Sequence, residues 1–572
     1  MPVRSIRGGV LRALALTAAA ALTVLVGAPS ALAQPGSAAA AGNPVSISVI
    51  VPLTVVPGTD GLIDATTLAA YTAPGGLLTR ELDAVADTSV TIALDPMIVA
   101  SIRVLGSAAP VEALDWLDRL QSVPNEVFLL AYADADPAAA AVAGLTDIAP
   151  LDFGFAIDPA AFGPAVTSSP TPTDTPAATP SPTPTATLPP DDPTPPPLPS
   201  TDDLLAWPAA LPGIAWPADN TVTAAKIAAL ASAGYDDVVL SSANVSPASQ
   251  AIVELNGIDG LVADDTLSGL VSSATFASTP SSFADSLGRL TTALTAAAAV
   301  SPGRTLVATL DRHWPLATSH LPQVVAAIDA ASGAQSVPLS TVLAGKSSQV
   351  QLAEPAADAR ADRRAQLVGA AQEVDQFARI AADPFVITAP QRLSLLALLS
   401  VGWTVDSDWE SPTTDFLGRA RDVLDAVQIM RGSDVLLLSD RSELPITVTN
   451  ALPVAVTVLV EVRPLRPVLT VVGGPVELTI EANSSSKAKV PVKSISNGEV
   501  NVRVTLTDSG GAQLGTPRFV KVLVRAEWES TGTLIVGGLL VLVFGGGVIR
   551  NILKRRRTAR EPAAQSTAKV DD

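Results

Sequence analysis

Residues 46–55 read SISVIVPLTV, an apolar, β-branched run bounded by Pro44 on one side and by Pro57-Gly58 on the other. That is the pattern of a buried strand. A helical stretch at 76–86 follows, then VTIALDP at 90–96, then a helix near 111–120 with Leu114, Leu117 and Leu120 on one face, then EVFLLAYADAD at 126–136. Strand, helix, strand, helix, strand at this spacing predicts parallel strands joined by crossover helices, an α/β layer or barrel.

Residues 167–200 interrupt the rhythm, with 13 Pro and 9 Thr and almost nothing that can pack. The composition predicts a solvated, extended insert. Because the rhythm resumes unchanged, the insert reads as a long loop inside one domain rather than a linker between two. Strand patterns recur at 211–220, 236–245, 257–265 and 303–315, with helices at 223–233, from 266 to Val300, 321–331, 357–381, 390–399 and 415–430. Seven or so strands over 45–434 suggest a (β/α)-barrel-like domain. A doubly wound sheet is the alternative, but no GxGxxG follows any of these strands, so nothing supports a dinucleotide site.

From Val435 the period changes. LPITVTNALPVAVTVLVEV at 444–462 and the runs at 475–494 and 498–527 alternate apolar and polar residues, with turn residues between them and no helical stretch. Residues 435–528 therefore read as an antiparallel β-sandwich of immunoglobulin-like size. Next comes STGTLIVGGLLVLVFGGGVI at 530–549, uncharged and long enough to cross a bilayer as one helix. Arg550, Lys554, Arg555, Arg556, Arg557 and Arg560 crowd its C-terminal side. The positive-inside rule puts the 550–572 tail in the cytoplasm and everything before the span outside. At the other end, Arg4, Arg7 and Arg12 precede an apolar run and Ala31-Leu32-Ala33, so residues 1–33 read as a signal peptide cleaved before Gln34.

The net charge of −19 argues against nucleic acid as a partner. Without cysteine there is no disulfide, thiolate metal site or cysteine nucleophile, and stability rests on core packing.

The run LPITVTNALPVAVTVLVEV, then VPVKSISNGEVNVRVTLTDSGGAQLG, one span and a basic tail, together with LAYADAD and IAWPADN upstream, carry a resemblance. The chain resembles an uncharacterised actinobacterial family of secreted, single-pass, membrane-anchored envelope proteins whose genes tend to lie beside that of the lipid II flippase. The resemblance implies an envelope role, with cell-wall glycan or an envelope protein such as that flippase as partner. It assigns no activity. The sandwich also looks like the module that follows catalytic domains in some secreted glycosidases.

Candidate chemistry lies in acidic residues at strand ends. Asp95, Asp134, Asp136, Asp219, Asp264, Asp265 and Asp311 fall where a β/α barrel gathers its C-terminal rim. A suitably spaced pair could act as acid and base on a glycosidic bond, with Asp134, Asp264 and Asp311 the catalytic candidates. Helix capping is the competing role, and Asp95-Pro96 is a cap signal. Asp311, His313 and His320 are reminiscent of the metal triad of polysaccharide deacetylases. Here, however, the histidines stand seven apart with Trp314 and Pro315 between them, so no metal or cofactor is expected. Trp207, Trp216, Trp314, Trp403 and Trp409 sit in or beside strand exits, and Trp216 and Trp314 are the candidates for stacking on a sugar face. The expected function is binding or scaffolding in the cell envelope, with a glycoside hydrolase-like enzyme as the alternative.

Overall fold

The computed structural model describes residues 43–163 and 197–558, apart from 209–210, 248–249, 313–318, 354, 356, 405–406, 433 and 526–527. The expected signal peptide, the insert up to 196, residues 559–572 of the tail, His313 and Trp314 lie outside the described residues.

The protein is a mixed α/β structure with a curled, mostly parallel sheet. Its strands are β1 (Val45–Leu53), β2 (Thr91–Leu94), β3 (Val127–Leu129), β4 (Ile214–Ala215) and β5 (Asp237–Ser241). The short β6 (Val245–Ser246) precedes β7 (Ile252–Leu255), β8 (Ile258–Ala263), β9 (Thr305–Thr309) and β10 (Ala334–Ser336). β1 is central. It pairs in parallel with β2, β9 and β10. β2 pairs with β3, β4 with β5, and β5 with β8. A single parallel bridge, Phe128 to Leu211, brings the two ends of this run together.

Period-two alternation explains why β1 holds this place. Ile50 joins Ala93, Phe128, Ile214, Val239, Leu261 and Val307 in an apolar cluster on one side of the sheet. Val45, Ile47, Val49, Val51 and Leu53 pack on the other side against the surrounding helices. Each such buried aliphatic side chain stabilises the fold by about 1.5–3 kcal/mol. A Cβ at Gly61, whose φ is +71°, would overlap the Leu393 carbonyl, so the loop after β1 can close only with glycine there.

The sequence reading misses the short strands β7 and β10 of this sheet. β7 runs antiparallel to β8, joined by Asn256 and Gly257, both at positive φ. Asn-Gly between two apolar runs is the signature of a tight hairpin.

The strands β11 (Ser348–Gln349) and β12 (Gln351–Leu352) pair with β7 and β6. Two antiparallel-rich sheets follow. The first orders β13 (Val427–Ile429), β15 (Arg441–Asn450), β19 (Ser484–Ser494) and β17 (Leu469–Val471). The second orders β14 (Val435–Leu437), β21 (Gln513–Val524), β20 (Gly498–Thr507), β16 (Val456–Pro464) and β18 (Val476–Ile480). Their inward residues, among them Leu444, Ile446, Val458, Val460, Val490 and Val502, form one core that also takes in Val374, Phe377, Ile380 and Ala420 from the helical layer. At the corner after β15, the buried Asn450 amide donates to the carbonyls of Val454, Ile480 and Glu481. Its oxygen accepts from Leu452 N, so it is fully satisfied.

The helix Trp528–Thr558 closes the described chain, and the expected span lies inside it. Between Thr533 and Arg556 its most apolar 18 residues have a mean hydropathy of 2.0 and none of them is buried against the protein, so it is long and apolar enough to cross a membrane.

Candidate functional site

The C-terminal ends of the parallel strands gather most of the expected acidic residues, and the structure sorts them by what each carboxylate already does. Asp95 caps the helix Pro96–Arg103, accepting from Met97 N at 2.9 Å. Asp136 caps Pro137–Val142 through Ala139 N and also accepts from Ala218 N at 3.3 Å, which ties the exit of β3 to that of β4. Asp264 caps Asp265–Thr275 through Leu267 N at 3.0 Å. Asp265 binds the Ser241 hydroxyl at 2.6 Å and Ala243 N at 3.1 Å, fastening the exit of β8 to that of β5. Each cap satisfies a backbone N–H that would otherwise lack a partner.

Asp134 does not cap a helix. It and Ala133 hold φ of 50° and 58°, a strained left-handed pair for residues other than glycine. The Asp95 carboxylate secures this turn by also accepting from Ala133 N at 2.9 Å. Asp134 is thereby aimed at Arg312, at the exit of β9, whose Nε lies 3.0 and 2.9 Å from its two oxygens. The pair is buried, with side-chain exposures of 8% for Arg312 and 6% for Asp134. The guanidinium also donates to the Trp216 carbonyl at 2.7 Å and lies 4.4 Å from the centre of the Trp216 ring. Thr54, after β1, donates its hydroxyl to the Arg312 carbonyl at 3.3 Å. One side chain thus crosses the mouth of the sheet and joins the exits of β3, β4 and β9.

The electrostatics follow from this packing. Burial pushes Asp95 up to about 8, helped by the neighbouring Asp134 charge and opposed by its backbone N–H bonds. Burial raises Asp134 to about 6, against the pull of Arg312. Asp219 is raised by the atoms packed around its carboxyl, again against Arg312, and the charges of Asp311 and Asp265 add to the rise. Its side chain touches solvent. Asp311 is exposed at the same rim.

Of the catalytic candidates, Asp134 and Asp311 flank Arg312 in space and chain respectively, while Asp264 is engaged in capping its helix. Trp216 is 4% exposed and packs on Phe128 with ring centres 6.4 Å apart, so its ring is walled in by Phe128 and Arg312. Trp403 and Trp409 are core residues whose indole N–H groups bond the carbonyls of Ala397 and Leu398. His320 stacks on Phe283 with ring centres 4.4 Å apart. No group of three metal-ligating side chains occurs among the described residues. Arg312, which organises the rim, is absent from the sequence candidates. The available signal was a cation directly after Asp311 at a strand exit of an acidic chain.

The chain belongs to DUF6049, a family of unknown function whose profile matches residues 12–564. No individually curated protein matches it. Among solved structures, Escherichia coli alpha-2-macroglobulin from domain MG7 to the C-terminus is similar over 18% of this chain and 16% of that one, at 18% identity and a TM-score of 0.15. The E. coli chaperone DraB is similar over 18% of this chain and 54% of its own, at 16% identity and a TM-score of 0.14. The C. elegans MSP family member WR4 is similar over 17% and 97%, at 13% identity and a TM-score of 0.13.

Proposed function

We propose that this DUF6049 protein is an extracytoplasmic envelope protein of the actinobacterial kind its sequence resembles, held by one membrane span and acting by binding or scaffolding rather than by catalysis. In this reading the curled parallel sheet is a (β/α)-barrel-like domain, the two later sheets are an immunoglobulin-like sandwich, and the basic tail is cytoplasmic. The partner is a cell-wall glycan or an envelope protein such as a lipid II flippase.

One observation carries the non-catalytic reading: Arg312 is locked across the rim. Acid–base cleavage of a glycosidic bond needs two carboxyls facing the bond, one of them free to give up a proton. Here Asp95, Asp136 and Asp264 are committed to helix caps, and Asp134 is committed to the guanidinium. Asp219 and Asp311 remain exposed beside Arg312 as the one pair of these acids committed to no cap; in this reading they form a polar contact surface for a neutral ligand or a protein, and Asp219→Asn joins the variants tested below.

The test is turnover. Purified protein is incubated with peptidoglycan and arabinogalactan fragments beside Asp134→Asn, Asp219→Asn, Asp264→Asn and Asp311→Asn, and no cleavage is expected from any of them. Cleavage by the wild type that vanishes in one Asn variant would replace this reading with that of an anchored glycosidase.

A further inference from the structure

The parallel sheet has an open seam. β8 and β9 share a single residue pair, Ala263 with Val307, whereas β9 pairs with β1 over five residues. Toward the start of β9 the two strands part, because β7 occupies the edge of β8 there in antiparallel register. The gap is not filled. It holds a cavity of about 580 Å³ between the entry to β7, the turn leading into β9 and the end of the helix Leu339–Leu343.

The chemistry of the lining is distinctive. Arg304 and Lys346 line the cavity with Gln250, Ser301, Thr305 and Thr341, and no carboxylate-bearing residue lines it among the described residues. The chain as a whole carries −19, so an acid-free, doubly cationic cavity runs against its composition. Neither cation has an ion-pair partner among the described residues. Arg304 is half-buried, and its Nε is shielded from water with no acceptor. Because the Nε is closed to water it is closed to a ligand as well, so a ligand in the cavity would meet the terminal nitrogens of the guanidinium. The helices Pro280–Val300 and Leu339–Leu343 both end here, and their C-termini direct up to roughly half a negative charge each at the site. That leaves about one net positive charge for a ligand, with hydroxyl and amide donors to hold its oxygens.

We infer that this seam cavity is a binding site for the oxyanion group of a phosphate-bearing small molecule or lipid headgroup, separate from the Arg312 rim. An arginine with neighbouring hydroxyls and an amide suits a phosphate ester, because the guanidinium gives directional N–H donors and the lysine a mobile point charge.

Full-length protein in nanodiscs of zwitterionic lipid would be titrated with pyrophosphate and glucose 6-phosphate by calorimetry. A parallel arm would measure a soluble fluorescent analogue of phosphatidylglycerol. Saturable binding is expected, weakened about tenfold by Lys346→Gln and more by Arg304→Gln, and unchanged by Lys487→Gln on the exposed face of β19. Saturation by the sugar phosphate identifies a free ligand, whereas saturation by the phosphatidylglycerol analogue alone identifies a headgroup. Either supports the site. Lys346 is exposed, so its variant stays informative if Arg304→Gln fails to fold. Absence of saturable binding in both arms, or equal weakening by Lys487→Gln, would overturn the inference.

Discussion

Replacing Arg312 by methionine removes a cation from a place where its partner cannot reach water. Asp134 and Arg312 are 6% and 8% exposed, and breaking such a pair from one side costs about 3–5 kcal/mol, because the survivor is left as an uncompensated buried charge. The cost must depend on pH. Asp134 titrates at about 6 in the folded protein and at 3.8 when exposed, so its folded value is raised. Its contribution is therefore most favourable in acid and is lost as pH rises through 6, by about 3 kcal/mol at about 1.36 kcal/mol per pH unit. Without Arg312 the folded value climbs further, and the loss extends through neutral pH. Arg312→Met should thus cost about 3–5 kcal/mol at pH 7.5 and less than about half of that at pH 5, where the stranded carboxyl takes up a proton. Adding Asp134→Asn, which keeps a residue tolerant of the left-handed φ, should recover most of the loss at pH 7.5. Urea unfolding of the detergent-solubilised chain at the two pH values, followed by intrinsic fluorescence, measures all three variants. A cost below about 1 kcal/mol at pH 7.5, or an equal cost at both pH values, would refute the assignment of a buried, charge-compensated pair.

Asp95 titrates at about 8 in the fold, so the wild type should lose stability from pH 4 toward pH 8; Asp95→Asn should flatten that decline and melt higher than the wild type at pH 8. Asn450→Ala strands three carbonyls and one N–H and should cost about 2–4 kcal/mol in the same urea assay. Replacing residues 167–196 by a short Gly/Ser linker, with Ser200 kept as the cap of Thr201–Leu205, should leave the melting temperature nearly unchanged, since that composition offers almost no apolar surface to bury. A reporter at the C-terminus should survive external protease in intact cells, and its digestion would reverse the expected orientation.

Some of this was legible in the sequence and some was not, for definite reasons. β1, β2 and β3 were readable because a strand covered on both faces shows an unbroken apolar run, and the later sheets because alternation at period two survives without knowledge of the partners. The β7–β8 hairpin carries its own local signal, Asn256-Gly257 between IVEL and IDGLVA, which the surrounding strand–helix rhythm masks. The rim was half legible. Acidic residues at strand exits can be found by position, but whether each one caps a helix or faces the mouth depends on contacts that no local pattern records. Asp136 and Asp134 are two residues apart in the same loop, yet one caps and the other pairs. Arg312 meets Asp134 across 178 residues of chain, and nothing near either residue encodes that meeting.

The same long-range packing bears on how the protein would act at a membrane. Ala382 N donates to Ala455 O at 2.8 Å and Ala381 bridges to Val456, so the helical layer is stitched to β16 by backbone as well as by the shared core of Phe377, Ile380 and Val456. A joint of that kind has no free hinge, because opening it would expose buried apolar surface and orphan a backbone pair together. At the other end, β21 stops at Val524 and the apolar helix begins at Trp528. In the proposed reading the helix enters the bilayer, and a connection of three residues at about 3.5 Å each would keep the sheets near the membrane surface. In the proposed membrane-anchored reading, the stitched joint between the helical layer and β16 would let the parallel sheet and the later sheets move as one body, which suits the proposed binding or scaffolding role.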